Sequence, residues 1–288
     1  MSMEDYFRGK GCVVTGAASG IGFALSEALL NVGATVFMAD RDTNTLASAV
    51  EQLKAHADRV HSATVDVTKQ EQVQQLIQDA ASRHGRLDVL FNNAGIGGTM
   101  AFSEVTLEHW RRIIDINLWG VIYGIDAAVP IMRSQGGGHI VNTSSIAGLI
   151  PFPYQAIYSA TKFAVTGLSE CLRFELEEDG IFFSVVCPGA VATRIWGTPV
   201  LGERIDVSAP PDAIPAEEAA QTILAGVANK EGIIIVPESL RPLWLGYNTA
   251  PEDGEAQLRE LARQRRRDYE TSGFIIHPGK EGLKSWNR

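Results

Sequence analysis

A chain of 288 residues, 45% apolar and 20% charged, has the make-up of a folded globular protein and excludes a disordered one. Its 25 basic and 34 acidic residues leave a net charge of −9, a poor surface for gripping a phosphate backbone, so no nucleic acid partner is expected. Three widely spaced cysteines and six scattered histidines offer neither a disulfide framework nor a ligand spacing, so no metal is expected.

Residues 1–10 carry Glu4 and Asp5 and no apolar core, so they do not read as a signal peptide. No run reaches the roughly 18 consecutive apolar residues of a membrane span, so no membrane partner is expected. Free cysteines at apolar positions (Cys12, Cys171, Cys187) fit a reducing compartment, and the expected location is cytoplasmic.

In chain order, an apolar run at Gly11–Thr15 leads into a helical pattern at Gly20–Asn31. A second strand follows at 34–39, a helix at about 43–56, and a third strand ending in Val65-Asp66-Val67. A polar helix covers about 69–84, and a fourth strand at 87–92 runs into Asn92-Asn93-Ala94-Gly95. A long helix spans about 106–134, with Pro130 at a frayed end or kink. After the Gly136-Gly137-Gly138 loop come a strand at 140–143, a helix near 156–179 and a strand at 181–187. A helix near 216–229 and a strand at 232–236 complete the alternation.

Short, continuously apolar strands between helices predict an α/β fold: a doubly wound, seven-stranded parallel sheet with helices on both faces. The expected organisation is one domain over residues 1–250, with a lid at about 190–215, and an extension over 251–288 that is helical and then irregular. Within the extension, 255–270 reads as an exposed helix in which Arg263, Arg265, Arg266 and Arg267 form a solvated face rather than a docking patch.

The turn Thr15-Gly16-Ala17-Ala18-Ser19-Gly20-Ile21-Gly22 lies between a strand and a helix, the context of a dinucleotide-binding loop. Gly16 lets the chain leave the strand, Gly20 leaves room for a pyrophosphate, and Gly22 admits close packing of helix on sheet. The backbone N–H groups at Ser19, Gly20 and Ile21 open a helix whose dipole suits an anion. Asp40, ending the second strand, can accept from adenosine ribose hydroxyls and would repel a 2′-phosphate, while Arg41 partly offsets that repulsion. NAD is therefore the expected cofactor, with NADP the alternative. Asp66 and Val67 would lie beside the adenine. Asn93, Ala94 and Gly95 edge the same crevice, although Asn-Asn-Ala-Gly is also good turn chemistry in its own right.

Tyr158 and Lys162 stand four residues apart, on one face of a helix. A cation about 4 Å from a phenolate stabilises it by roughly 4 kcal/mol at an effective dielectric near 20. That is roughly three pKa units as an upper figure, enough with an oxidised nicotinamide to bring Tyr158 toward working pH. A hydroxyl just past the fifth strand, on Ser145 or its neighbour Ser144, points into the ligand crevice of such a sheet. Asn117 lies inside an apolar helix, where a buried amide needs partners.

Thr15–Gly22, Asp66, Asn92–Gly95, Asn117, Ser145, Tyr158, Lys162 and Pro188-Gly189, in this order and spacing over about residues 8–190, resemble the short-chain dehydrogenase/reductase family in its shorter, single-domain form. The resemblance implies an NAD- or NADP-dependent oxidoreductase. It makes Tyr158 the acid/base at the substrate oxygen and Ser145 the group that aligns that oxygen. Lys162 tunes Tyr158 and holds the nicotinamide ribose, and Asn117 keeps a water in a proton relay. Ser145 is chosen over Ser144 because Gly148 lies three residues after it. Pro188, Gly189 and Val191 would contact the nicotinamide, and Thr193 its carboxamide or a phosphate. The resemblance also implies a homodimer or homotetramer through the helices near 106–134 and 156–179.

The resemblance implies that the segment after the sixth strand, the lid with Ile195, Trp196, Val200 and Leu201, builds the substrate pocket and faces residues 149–154, including Phe152. This apolar lining predicts a hydrophobic secondary alcohol or ketone, with Phe152 and Trp196 beside Ser145 and Tyr158 as substrate contacts. Leu240, Leu243, Trp244, Leu245 and Tyr247 complete the pocket or pack an interface. Two alternatives stand beside an NAD-preferring alcohol dehydrogenase or ketone reductase. One is an NADPH-dependent β-ketoacyl reductase, against which Asp40 and the tail argue. The other is a non-catalytic dinucleotide sensor, against which the intact Ser145, Tyr158 and Lys162 argue.

Overall fold

The computed structural model describes residues 2–204, 208–272 and 275. Its strands are β1 (Gly11–Thr15), β2 (Thr35–Asp40), β3 (Val60–Thr64), β4 (Val89–Asn92), β5 (Gly138–Thr143), β6 (Ile181–Pro188) and β7 (Ile233–Val236). They form one parallel sheet in the order β3-β2-β1-β4-β5-β6-β7, as the alternation predicts. Strand order reverses between β1 and β4, the switch point at which such sheets open a ligand crevice at their C-terminal ends.

Alternation along each strand divides the core into two layers. Cys12, Val14, Val89 and Phe91 face α2 (Gly20–Asn31), α3 (Thr43–Gln52) and α8 (Ala216–Ala228). Val13, Leu90 and Ile140 face α4 (Gln70–His84), α6 (Gly120–Ser134) and α7 (Ala156–Glu175). The edge strand β3 buries only Val60 and then alternates half-buried with exposed residues, whereas β1 is buried throughout.

Several boundaries depart from expectation. β3 stops at Thr64, short of Val65-Asp66-Val67, because Asp66 accepts from the backbone N and hydroxyl of Thr68 and turns the chain. The helix expected to reach 179 ends at Glu175, ahead of Gly180 at φ +71°. The long helix is α5 (Leu107–Ile114), a five-residue π turn (Asp115–Trp119) and α6, and it continues past Pro130 to Ser134. The stretch Leu107–Ser134 is long and apolar enough to cross a membrane by length and composition. In the fold, its Ile113, Ile116, Val121, Ile125 and Met132 are buried in the core.

Residues near the N-terminus form a short helix, α1 (Met3–Phe7), that the sequence reading left out; it buries Tyr6 and Phe7. The tail holds α9 (Arg241–Thr249) and α10 (Pro251–Ser272), longer than the expected 255–270. Arg263, Arg266 and Arg267 pair with Glu260 and Glu270 on an exposed face. Arg265 does not belong to that solvated face: it is 4% exposed. The irregular continuation lies, except for residue 275, outside the described residues, as do 205–207 of the lid.

Candidate active site

The glycine turn leaves β1 with Gly16 at φ +65° and Gly20 at φ +54°, a backbone region that favours glycine. A Cβ on Gly22 would stand 2.1 Å from the Gly16 carbonyl oxygen, so α2 can start this close to the turn only with hydrogen at that position. Ser19 is the N-cap in extended backbone, and its side chain makes no cap hydrogen bond. Ile21 packs partly into the core below.

Asp40 closes the turn from the end of β2: one carboxylate oxygen accepts from Ala18 N at 3.1 Å, the other from Asp42 N at 3.0 Å. Arg41 beside it is exposed. Asp66 is half-buried, which raises its pKa, yet the hydrogen bonds from Thr68 outweigh burial and leave it below the usual carboxylate range. Val67 lies against α6, where a Cβ on Gly120 would meet its side chain at 3.0 Å.

The turn after β4 is tied to β1 by Thr15, a residue the motif reading included without a role. Its hydroxyl accepts from Asn93 N at 3.0 Å and Ala94 N at 3.1 Å, while Asn93 Nδ2 donates to Thr15 O at 3.0 Å. Gly95 is exposed at the rim; a Cβ there would be 3.3 Å from Asn117 Oδ1 and 3.6 Å from Lys162 Nζ. These two side chains therefore face the same backbone. Asn117 is fully buried and sits in the π turn, a distortion common at functional sites. Its amide pairs with Ile96, accepting from N and donating to O, each at 2.9 Å.

The two serines after β5 diverge. Ser144 Oγ turns into the core, donating to Lys162 O at 2.8 Å and lying 2.8 Å from Thr166 Oγ1. Ser145 Oγ donates to Pro188 O at 3.3 Å, accepts from Ala147 N at 3.1 Å, and interacts with the Tyr158 hydroxyl. Tyr158 and Lys162 project from the first turns of α7, with Lys162 Nζ 5.6 Å from the phenol ring centre.

The expected lowering of the Tyr158 pKa by Lys162 is not what the protein's own groups produce. Burial raises the Tyr158 pKa, and the Ser145 hydrogen bond opposes that without overcoming it. Burial also pulls Lys162 down to about 8, weakening the cation that was to do the tuning, and Lys162 Nζ donates to Thr143 O at 2.8 Å. The Cys187 thiol, expected only as a free cysteine at an apolar position, is a buried neighbour of Lys162 and is pushed up to about 12 by burial.

Pro188 is buried at the end of β6, and Gly189 meets the tail, where a Cβ would be 2.4 Å from Leu240. The lid begins as Val191 bridges Ile214, and Trp196 Nε1 donates to Val191 O at 2.8 Å. Thr193 comes down over the glycine turn: a Cβ on Gly20 would be 2.9 Å from its methyl carbon. Val200 and Leu201 pack with Ile96, Ile113, Ile157 and Tyr158, so the lid covers the approach to the phenol. Phe152, Leu240, Leu243, Trp244 and Tyr247 join the core layer under α6 and α7, whereas Leu245 is half exposed. Through its indole N–H, Trp196 is held to the backbone at the start of the lid, and Phe152 packs against the core layer.

A phosphate cradle of left-handed glycines, a carboxylate at the end of β2, and a serine, phenol and lysine at the C-terminal ends of β5 and β6 suit a dinucleotide dehydrogenase. The chain belongs to the short-chain dehydrogenase family, which residues 10–200 match, and it is an oxidoreductase of that family. It is 36% identical to an uncharacterized oxidoreductase of Staphylococcus saprophyticus, over 68% of this chain and 84% of the other. It is 39% identical to an uncharacterized oxidoreductase of Listeria innocua, over 66% and 78% of the two chains. Among solved structures, a short chain dehydrogenase/reductase from Burkholderia phymatum, in complex with NAD, is similar with a TM-score of 0.75 and 29% identity, covering 94% of this chain and 98% of that one.

Proposed function

We propose that the protein is an NAD(P)-dependent dehydrogenase or reductase acting on a hydrophobic secondary alcohol or ketone, with one dinucleotide-binding and catalytic domain over residues 1–250. The observation that carries this reading is the convergence of Ser145, Tyr158, Lys162 and Asn117 beside the glycine turn.

The turn fits a dinucleotide because Gly16 and Gly20 hold left-handed backbone and α2 starts at Ser19 without a side-chain cap, which leaves its first N–H groups for a pyrophosphate. Gly16, Ser19, Gly20, Ile21 and Gly22 would hold the pyrophosphate, Asp40 and Arg41 the adenosine ribose, and Asp66 and Val67 the adenine. Asn93, Ala94, Gly95, Pro188, Gly189, Val191 and Thr193 would hold the nicotinamide half. A carboxylate at Asp40 favours NAD over NADP. When bound, the nicotinamide supplies the hydride acceptor or donor.

Tyr158 takes the proton from the carbinol oxygen in oxidation and returns it in reduction. Ser145 turns its hydroxyl from the Pro188 carbonyl to the substrate oxygen and fixes its direction. Lys162 leaves the Thr143 carbonyl for the ribose and stands as a positive charge behind the phenol. Because burial raises the Tyr158 pKa, the phenol needs that charge and an oxidised nicotinamide together to act near neutral pH. Asn117, beside Lys162, orders the route by which the proton leaves.

Tyr158→Phe is expected to lower turnover of cyclic and aromatic secondary alcohols at least about a thousandfold, while NADH binding, followed by fluorescence, stays within a few-fold. Retained turnover would overturn the role of Tyr158. A wild-type protein that binds NADH but reacts with nothing across a broad panel would instead be a sensor. The free thiols Cys12, Cys171 and Cys187 support a cytoplasmic location, and apolar side chains exposed along α5–α7 support a homodimer or homotetramer.

A further inference from the structure

Of the two serines after β5, the function above uses only Ser145. Ser144 is buried as well, and its surroundings give it a different task. Its backbone N donates to Val186 O at 2.7 Å, which extends the pairing of β5 with β6 past Thr143. The strand end from which its side chain reaches α7 is therefore fixed.

On α7, Tyr158, Lys162 and Thr166 recur every four residues and form one stripe, with Ser169 a turn beyond. The end of β5 meets this stripe in reverse chain order. Ser145 interacts with the Tyr158 hydroxyl. Ser144 Oγ donates to Lys162 O at 2.8 Å and lies 2.8 Å from Thr166 Oγ1, which donates to the same carbonyl at 3.0 Å. Asn142 Nδ2 donates to Ser169 Oγ at 2.9 Å. The Thr143 carbonyl accepts from the Lys162 ammonium at 2.8 Å, so Lys162 is held at its head by Thr143 and at its root by Ser144. Gly148 belongs to the same junction: a Cβ there would stand 2.3 Å from Ser144 Oγ and 2.7 Å from Lys162 O, so a side chain at 148 would force the two apart.

The apolar packing of Val165, Leu168 and Leu172 in the core layer is non-directional and tolerates small shifts of the helix. Buried hydroxyl–carbonyl pairs tolerate them poorly, because stretching one strands a polar group away from water. In the reading above, Lys162 gives up the Thr143 carbonyl when it turns to the ribose. The Ser144 bond is then what still ties Lys162 to β5.

We propose that Ser144 is a positioning residue: through the Lys162 carbonyl it sets α7 against the end of β5, and so sets the distance between the Tyr158 and Ser145 hydroxyls that meet the substrate oxygen. The proposal rests on the dehydrogenase reading above and adds a part to that same site.

The test uses the full chain with NAD and with cyclohexanol and 1-phenylethanol. Ser144→Ala is expected to lower kcat about 10- to 100-fold, since a misplacement of about 1 Å can cost about a hundredfold. KM and the NADH dissociation constant, followed by fluorescence, should stay within about threefold, because the Ser144 hydroxyl faces α7 and not the crevice. Ser169→Ala removes a hydroxyl from the same stripe, about three turns from Tyr158, and strands the Asn142 amide. It should cost at least as much in urea midpoint and yet leave kcat within about threefold. A kcat that follows the urea midpoint across the two variants, or a kcat in Ser144→Ala within about twofold of the wild type, overturns the proposal. If Ser144→Ala does not bind NADH, Thr166→Val takes its place: it keeps the shape and removes the second donor to the Lys162 carbonyl. A loss in kcat of at least about threefold is then expected, and no loss overturns the proposal. If the wild type oxidises neither alcohol, crystals of the NADH-bound wild type and Ser144→Ala decide. A distance between the Tyr158 and Ser145 hydroxyls that widens in the variant supports the positioning role and counts against the dehydrogenase reading alone; an unchanged distance overturns the role.

Discussion

Lys162 carries a cost that its neighbours do not offset. It is 4% exposed, no carboxylate among the described residues pairs with it, and burial pulls its pKa from 10.5 to about 8. Between those values the folded state binds fewer protons than the unfolded one, so this group makes stability rise with pH, and its penalty is fully present below pH 8. The shift corresponds to about 3 kcal/mol as an upper figure. Lys162→Met removes the penalty and strands the Thr143 carbonyl, which costs back about 1 kcal/mol. The variant should therefore be inactive yet more stable than the wild type at pH 7 by about 1–2 kcal/mol. Urea unfolding from pH 7 to 10.5 checks this, since the advantage should shrink across the upper part of that range. A variant that is weaker at every pH, or whose advantage ignores pH, would contradict the account. Four-residue spacing made the Tyr158–Lys162 pair legible; what it could not carry is burial, which raises the phenol and weakens the ammonium together.

At the scale of elements, strands and the glycine turn were legible because both are local: apolar runs, and glycines where a Cβ would collide. Elements whose ends depend on side chains elsewhere were not. β3 ends early on a hydrogen bond from Thr68, and the π turn around Asn117 exists where the side chain reaches Ile96 across the crevice. α1 is five residues long, too short to show a period, and it holds by what it buries. Its Tyr6 hydroxyl lies 2.8 Å from His139 Nδ1, while His139 Nε2 lies 2.9 Å from Ser184 Oγ, at the N-terminal end of the sheet. Burial drives the His139 pKa down to about 3, with Lys10 and Lys230 adding to it. The folded state then binds fewer protons than the unfolded state between pH 3 and 6.5, so stability falls as pH drops through that window. His139→Gln should lose about 1–3 kcal/mol at pH 7 from the broken network, and lose less further stability than the wild type between pH 6.5 and 4.5. Urea midpoints at those pH values test it, with kcat/KM unchanged because the crevice lies at the other end of the strands. Parallel acid curves for the two proteins would refute it.

At the scale of the whole molecule, several large apolar side chains on the helices around the site are exposed among the described residues. Trp119 is 44% exposed and stacks on Tyr123 at 5.6 Å, Phe163 on α7 is 41% exposed, and Leu107 at the start of α5 is 70% exposed. Isolated exposed apolar residues are ordinary, but three large ones along α5–α7, on the helices that carry Asn117, Tyr158 and Lys162, mark a surface suited to a second copy. The sequence left this open because the apolar stretch at 113–125 serves the core as well: Ile113, Ile116, Val121 and Ile125 are buried within it. Trp119 in the same stretch is exposed, so the stretch carries both a core side and an outer side. Trp119→Glu combined with Phe163→Glu should turn a dimer or tetramer into a monomer in sedimentation velocity at micromolar concentration, because burying two carboxylates without partners costs several kcal/mol. A wild type that sediments as a monomer, or a double variant that keeps the wild-type mass, would rule out this face as the assembly surface.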